Sequence, residues 1–184
     1  FDIDVPEKTA VCIFADKEEI GSVGISGMQS HYFEHFMEGL CDAQGVKLSD
    51  CFANSFCLSA DVSNAFDPNW PETCDKRNNS QLNYGVAICK YTGSRGKGGA
   101  SDASAEAMGH VRSTLDKAGV IWQIATLGKV DQGGGGTVAA YMANRNIVTV
   151  DAGVPVLSMH APLELVSKLD CYETMLACKA IYLA

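Results

Sequence analysis

Short apolar runs ending on an acid, a glycine or a histidine alternate in this chain with segments of helical period, and this constrains the fold more than any single motif. Residues 10–15, 54–62, 86–91, 120–127, 146–150 and 154–159 are short, rich in β-branched and aromatic residues and bounded by turn formers, so each reads as a strand. Between them Tyr32, Phe33, Phe36, Met37 and Leu40 recur at helical spacing. A second helix is expected from Ser101 to about Lys117, capped by Ser101 or Asp102 and stopped at Gly119. A third is expected to open at Pro162, with Leu163, Val166, Leu169, Tyr172, Met175, Leu176 and Ile181 on a broad apolar face. Strands joined through helices are forced into parallel neighbours covered on both sides. The expectation is an α/β domain with a mostly parallel sheet and helices on both faces.

Open sheets of that kind place their ligand crevice just outside the carboxyl ends of the strands. The stretch A-D-K-E-E-I-G-S sets Asp16, Glu18 and Glu19 after the first run, and Gly21 lets the backbone turn so that both glutamates can serve one site. Asp61 ends the second run, and His160 follows the last. Two or three carboxylates and an imidazole brought to one edge suit Zn²⁺, Mn²⁺ or Co²⁺, so a metal site is the economical reading.

Other features point less far. His31 and His35 have the spacing of a zinc-binding pair, but Tyr32 stands where that signature needs glutamate, and they read as surface residues. The glycine-rich stretch 93–99 lacks the spacing of a phosphate loop and reads as a flexible surface loop. Gly133, Gly134, Gly135 and Gly136 lie before an expected helix and read as a loop where backbone passes close to a ligand. A phosphate-binding domain using either stretch remains an alternative.

Composition narrows the partners. Across 184 residues the net charge is −8, which argues against nucleic acid and anionic membranes, both of which reward clustered Lys and Arg. No apolar run approaches the roughly 18 residues of a membrane span, and a soluble, cytoplasmic protein is expected. The eight cysteines contain no C-x-x-C pair and are expected as free thiols. The chain opens at Phe1 without methionine and ends in a helical pattern, so it reads as a cut or partial chain.

Four ordered motifs then carry a resemblance: D-K-E-E-I-G-S, L-S-A-D-V followed by D-P-N, G-K-V-D-Q-G-G-G-G-T, and G-V-P-V-L-S-M-H-A-P. Together they resemble the aspartyl and vacuolar aminopeptidase family of dinuclear zinc metallopeptidases, in its bacterial branch, over nearly the whole chain. The resemblance implies a three-layer α/β/α, phosphorylase/hydrolase-like catalytic domain of which residues 1–184 are the carboxyl-terminal part, an inserted smaller domain lying upstream. It implies Glu18 as general base, Glu19 and His160 as ligands of one metal and Asp61 of the other, with two divalent ions, Zn²⁺ foremost and Co²⁺ or Mn²⁺ as substitutes. It places Lys90, Gly134, Gly135, Gly136 and Thr137 near the substrate. It further implies peptide substrates cut at their amino terminus and a homo-oligomer, a dodecamer in the family. The pattern departs in two respects: the family's upstream histidine and bridging aspartate are not in this sequence, and Asn64 stands where other members have histidine. The rival expectation is a non-catalytic fragment or metal-binding module carrying half a site.

Overall fold

The computed structural model describes residues 5–184. Its centre is a four-stranded sheet of β1 (Phe56–Ala60), β7 (Val148–Gly153), β3 (Val86–Cys89) and β6 (Trp122–Ile124), in that spatial order. The pairings β1 with β7 and β3 with β6 are parallel, while β7 and β3 run antiparallel. The α/β architecture with a mostly parallel sheet is thus present, with one reversal at its centre.

Alternation along the strands sorts residues between two layers of helices. Val86 and Ile88 of β3, Val150 and Ala152 of β7, and Phe56 and Leu58 of β1 face α3 (Ala105–Ala118) and α5 (Lys168–Tyr182). Cys57 of β1 looks the other way, into a second cluster where Phe33 and Met37 of α1 (Tyr32–Gln44), Phe52 of α2 (Leu48–Ala53) and Met142 of α4 (Ala139–Ala143) meet. Val86, Ile88, Val111, Leu115 and Val150 are fully buried. At about 1.5–3 kcal/mol for each such side chain removed from water, this layer holds the sheet to α3 and α5.

Smaller sheets hang from the strand ends. β2 (Ser63–Asn64) runs parallel to β8 (Pro155–Leu157), which pairs antiparallel with β9 (Leu165–Val166). β4 (Tyr91–Ser94) and β5 (Gly98–Asp102) form a hairpin, so the stretch 93–99 is two strands and their turn rather than a flexible loop.

Several boundaries differ from expectation. The run 10–15 is no strand: it pairs with no strand among the described residues, only Asp16 beyond it forms an isolated bridge, to Gly27, and Phe14 stays 94% exposed. Ser101 pairs across the hairpin with Thr92, and the helix begins after Ser104, whose side chain accepts the Ala107 N–H. Gly119 does stop that helix in the left-handed conformation. Pro162 lies in a turn, and the last helix starts after Ser167, which accepts from Leu169 and Asp170 N–H. Its buried face is formed by Asp170 and Ala177 with Leu176, Ala180 and Ile181 packed nearby, whereas Leu169, Tyr172 and Met175 are exposed.

Candidate functional site

Glu18 and Glu19 lie in a short 3-10 turn, Glu18–Ile20, and not at a strand end. Lys17 before it and Gly21 after it both take the left-handed conformation, which reverses the backbone within five residues. The turn closes on itself through Gly21 N–H to Glu18 C=O at 2.9 Å and Ser22 N–H to Lys17 C=O at 2.7 Å. Asp16 is tied aside by the Ser26 hydroxyl at 2.7 Å, a bond that lowers its carboxyl from the ordinary range.

Asp61 follows β1 directly and sits half-buried at the end of the sheet. Its neighbour is Gly153, the last residue of β7: a Cβ there would fall 1.0 Å from the Asp61 carbonyl oxygen, so only glycine lets the two segments come together. His160 arrives from the same end of β7 by way of β8, in a left-handed conformation. Its backbone N–H is taken by the Glu164 carboxylate, and its Nε2 stands 3.5 Å from Glu19 Oε2.

The electrostatics join these segments. Burial raises the Glu18 carboxyl above its ordinary range, and the charges of Asp61 and Glu19 push it further, while His160 pulls it back. Burial likewise raises Asp61; the Val62 N–H on its Oδ1 at 2.7 Å opposes that shift, Glu19 adds to it and His160 subtracts. Glu18, Glu19, Asp61 and His160 therefore share one field, although they come from three separate parts of the chain. Among the described residues no group of three or more His, Cys, Asp or Glu side chains is gathered tightly enough to hold a metal ion. The donor set is nevertheless of the type zinc takes, an imidazole nitrogen facing one carboxylate with another beside them, and it falls short of the four ligands of a closed site.

The remaining expected residues lie beside the hairpin of β4 and β5 and in the glycine loop before α4. The hairpin turn and the glycine loop, which look independent in the sequence, interlock: Arg95 N–H donates to Gly133 C=O at 2.9 Å. A Cβ on Gly134 would meet Gly93 O at 2.6 Å, and one on Gly136 would meet Gly99 O at 2.9 Å. Gly135 has open space around it. Thr137 is buried and donates to Asp151 Oδ1 at 2.8 Å. Lys90 is half-exposed and paired with Asp102.

Asp151 is the residue that sequence reasoning missed. It lies inside β7, 6% exposed, and also accepts the Thr92 hydroxyl at 3.3 Å. Burial raises its carboxyl, and the charge of Asp61 adds to the effect. A cavity of about 10 Å³, room for one water, lies among Asp61, Ser63, Cys89, Thr92, Thr137 and Asp151. An acid within the apolar run N-I-V-T-V-D-A-G-V was the signal to follow, since a carboxylate in a central strand must be compensated.

A mostly parallel sheet between helices, with carboxylates and an imidazole sharing one field beside it, places the chain in the class of α/β folds. Comparison with known proteins narrows that class. The family model described as aminopeptidase I zinc metalloprotease (M18) matches residues 2–182. A probable M18 family aminopeptidase 1 of Borreliella burgdorferi is 45% identical over 189 residues, taking in 99% of this chain and 41% of that protein. The crystal structure of an M18 aminopeptidase from Thermotoga maritima matches with a TM-score of 0.88 at 43% identity, over 92% of this chain and 39% of that one. The mApe1 dodecamer of S. cerevisiae matches with a TM-score of 0.74 at 26% identity, over 91% of this chain and 36% of that one. The chain belongs to the M18 family of zinc metalloproteases, and it spans about two fifths of the length of the curated relatives it matches.

Proposed function

We propose that this chain supplies the carboxyl-terminal part of the catalytic domain of a zinc-dependent aminopeptidase, which removes the first residue from peptides. The observation that carries the proposal is the meeting of Glu18, Glu19, Asp61 and His160 from three segments in one field, with Glu19 and His160 3.5 Å apart. Family membership supports the peptidase reading over that of a non-catalytic module. Glu19 and His160 would hold one divalent ion and Asp61 a second, Zn²⁺ foremost, with further ligands supplied from outside this chain. Such ions, when bound, polarise the scissile carbonyl and make a water acidic enough to attack it.

The chain's own residues do the rest. Glu18 carries no ligand role, so its carboxylate is free to take a proton from the attacking water and return it to the leaving amine. Its raised proton affinity moves it toward the range where a carboxylate serves both steps near neutral pH. The interlocked loops at Gly134, Gly135, Gly136 and Thr137 form the wall along which a peptide backbone can lie, and Lys90 stands free enough to reach a substrate side chain if it leaves Asp102. A homo-oligomer is part of the proposal, supported by the dodecameric yeast relative and by the open apolar side chains Leu163, Leu165 and Leu169.

The test is release of amino-terminal residues together with zinc content. Glu18→Gln should lower kcat by about 10²–10⁴-fold with zinc retained, the range of a lost general base. Asp61→Ala and His160→Ala should lose zinc, and a chelator should stop the wild-type enzyme. Wild-type turnover in Glu18→Gln would refute the assignment.

A further inference from the structure

The turn that carries Glu18 and Glu19 buries none of its own residues, and Ile20 within it is exposed. Hydrophobic packing therefore cannot fix its position; hydrogen bonds must. The bonds that reach the end of the turn come from two residues, Gln29 foremost. Gln29 donates its Nε2–H to the Gly21 carbonyl at 2.6 Å, and its backbone N–H to the Ser22 carbonyl at 3.1 Å. The Tyr141 hydroxyl adds a longer bond to the same Gly21 carbonyl at 3.4 Å.

Gln29 is itself held from both sides. The Arg145 guanidinium, mostly buried, donates to the carbonyls of Met28 and Ser30, each at 3.1 Å, and so grips the backbone immediately before and after Gln29. Arg145 is in turn fixed by Glu34 of α1 at 2.7 Å and by the Tyr141 carbonyl at 2.8 Å. A line of direct bonds thus runs from α4, which follows the glycine loop, through Arg145 and Gln29 to the acidic turn.

We infer that Gln29 is a positioning residue: its side-chain amide sets where Gly21, and hence Glu18 and Glu19, stand opposite Asp61 and His160. The inference rests on the proposed roles of Glu18 and Glu19. Gln29 touches no reacting atom, and its effect is on the placement of groups whose misplacement by about 1 Å costs up to 10²-fold in rate.

The experiment uses the zinc-loaded enzyme with Gln29→Met and Gln29→Glu, which keep the length of the side chain and remove its donor. Both should lower kcat by about 10- to 100-fold while KM stays within about twofold. Gln44→Ala, a surface glutamine at the far end of α1, should leave kcat unchanged. Hydrogen exchange supplies a readout independent of turnover: the Gly21 and Ser22 amides, which close the turn, should exchange about 3- to 10-fold faster in Gln29→Met, as loss of one neutral hydrogen bond implies. Wild-type kcat in both Gln29 variants overturns the inference, as does a fall in kcat without faster exchange at the turn. Full activity in Glu18→Gln overturns both the catalytic reading and this one, whereas an inactive Glu18→Gln beside an unimpaired Gln29→Met overturns the positioning role alone.

Discussion

Gly153→Ala is the substitution that most directly joins the sheet to the site. The added Cβ would lie 1.0 Å from the Asp61 carbonyl oxygen, 2.3 Å from its carbonyl carbon and 3.1 Å from Val62 N, where contacts under 3.0 Å are not tolerated. About 2 Å of relative movement is therefore required. β7 cannot supply it, being paired with β1 on one side and β3 on the other. The movement falls on Asp61 and Val62, at the open end of β1. Overpacking of this kind costs about 1–3 kcal/mol, so the variant should fold with a midpoint lowered by a few degrees. Its effect on the site should be larger, because a shift of even about 1 Å in a group that positions reactants costs about 10²-fold. The assay compares kcat/KM for amino-terminal release, zinc content and thermal midpoint between wild type, Gly153→Ala and Gly109→Ala. Gly109 lies on exposed helix surface in α3, and a methyl group added there would meet nothing within 4 Å, so alanine should stabilise by about 0.5–1 kcal/mol and leave kcat/KM alone. Wild-type zinc content with kcat/KM within threefold in Gly153→Ala would refute the reasoning.

Two further outcomes follow from burial. Asp170 is 1% exposed and accepts the backbone N–H groups of Asn83 at 2.8 Å and Gly85 at 2.9 Å, so Asp170→Ala leaves two donors stranded and should cost about 2–5 kcal/mol in urea unfolding; a loss under about 1 kcal/mol would contradict that role. Burial pushes the thiols of Cys57 and Cys89 up to about 12, which keeps both protonated and unreactive at pH 8, whereas Cys171 is exposed. Mass mapping after native alkylation should find Cys171 modified and the other two untouched, and labelling of Cys89 at the rate of Cys171 would overturn the prediction.

The strands that form the central sheet were legible because each is a short apolar run, and alternate residues of β1, β3 and β7 share one cluster with α3 and α5. Helix starts were less legible. Ser101, Ser104 and Ser167 are equally good caps in isolation; Ser101 is spent on the hairpin opposite Thr92, a choice made by tertiary pairing. The last helix shows a further limit. Leu163 and Val166 continue its apolar period by accident of spacing, yet Val166 pairs with β8 and lies outside the helix, while the face that packs inward is led by an acid and an alanine. Asp170 and Ala177 carry no apolar signature strong enough to mark a buried stripe.

The site divides along the same physical line. Its proposed reactive groups were nominated from the sequence because metal chemistry uses particular residue types, and acids or histidines at the ends of apolar runs are few. Their placement could not. Glu18 and Glu19 sit on a turn without core contacts, and its position depends on Gln29 and, through it, on Arg145 more than a hundred residues away. Neither glutamine nor arginine advertises that task by type, and their partners are backbone carbonyls, which every sequence has. Asp151 is hidden for the related reason that a carboxylate satisfied by Thr137 and Thr92 shows itself only when three strands and a loop are already folded around it. In this chain, then, sequence pattern nominates the residues proposed for the chemistry, and hydrogen bonds between distant segments decide where those residues stand.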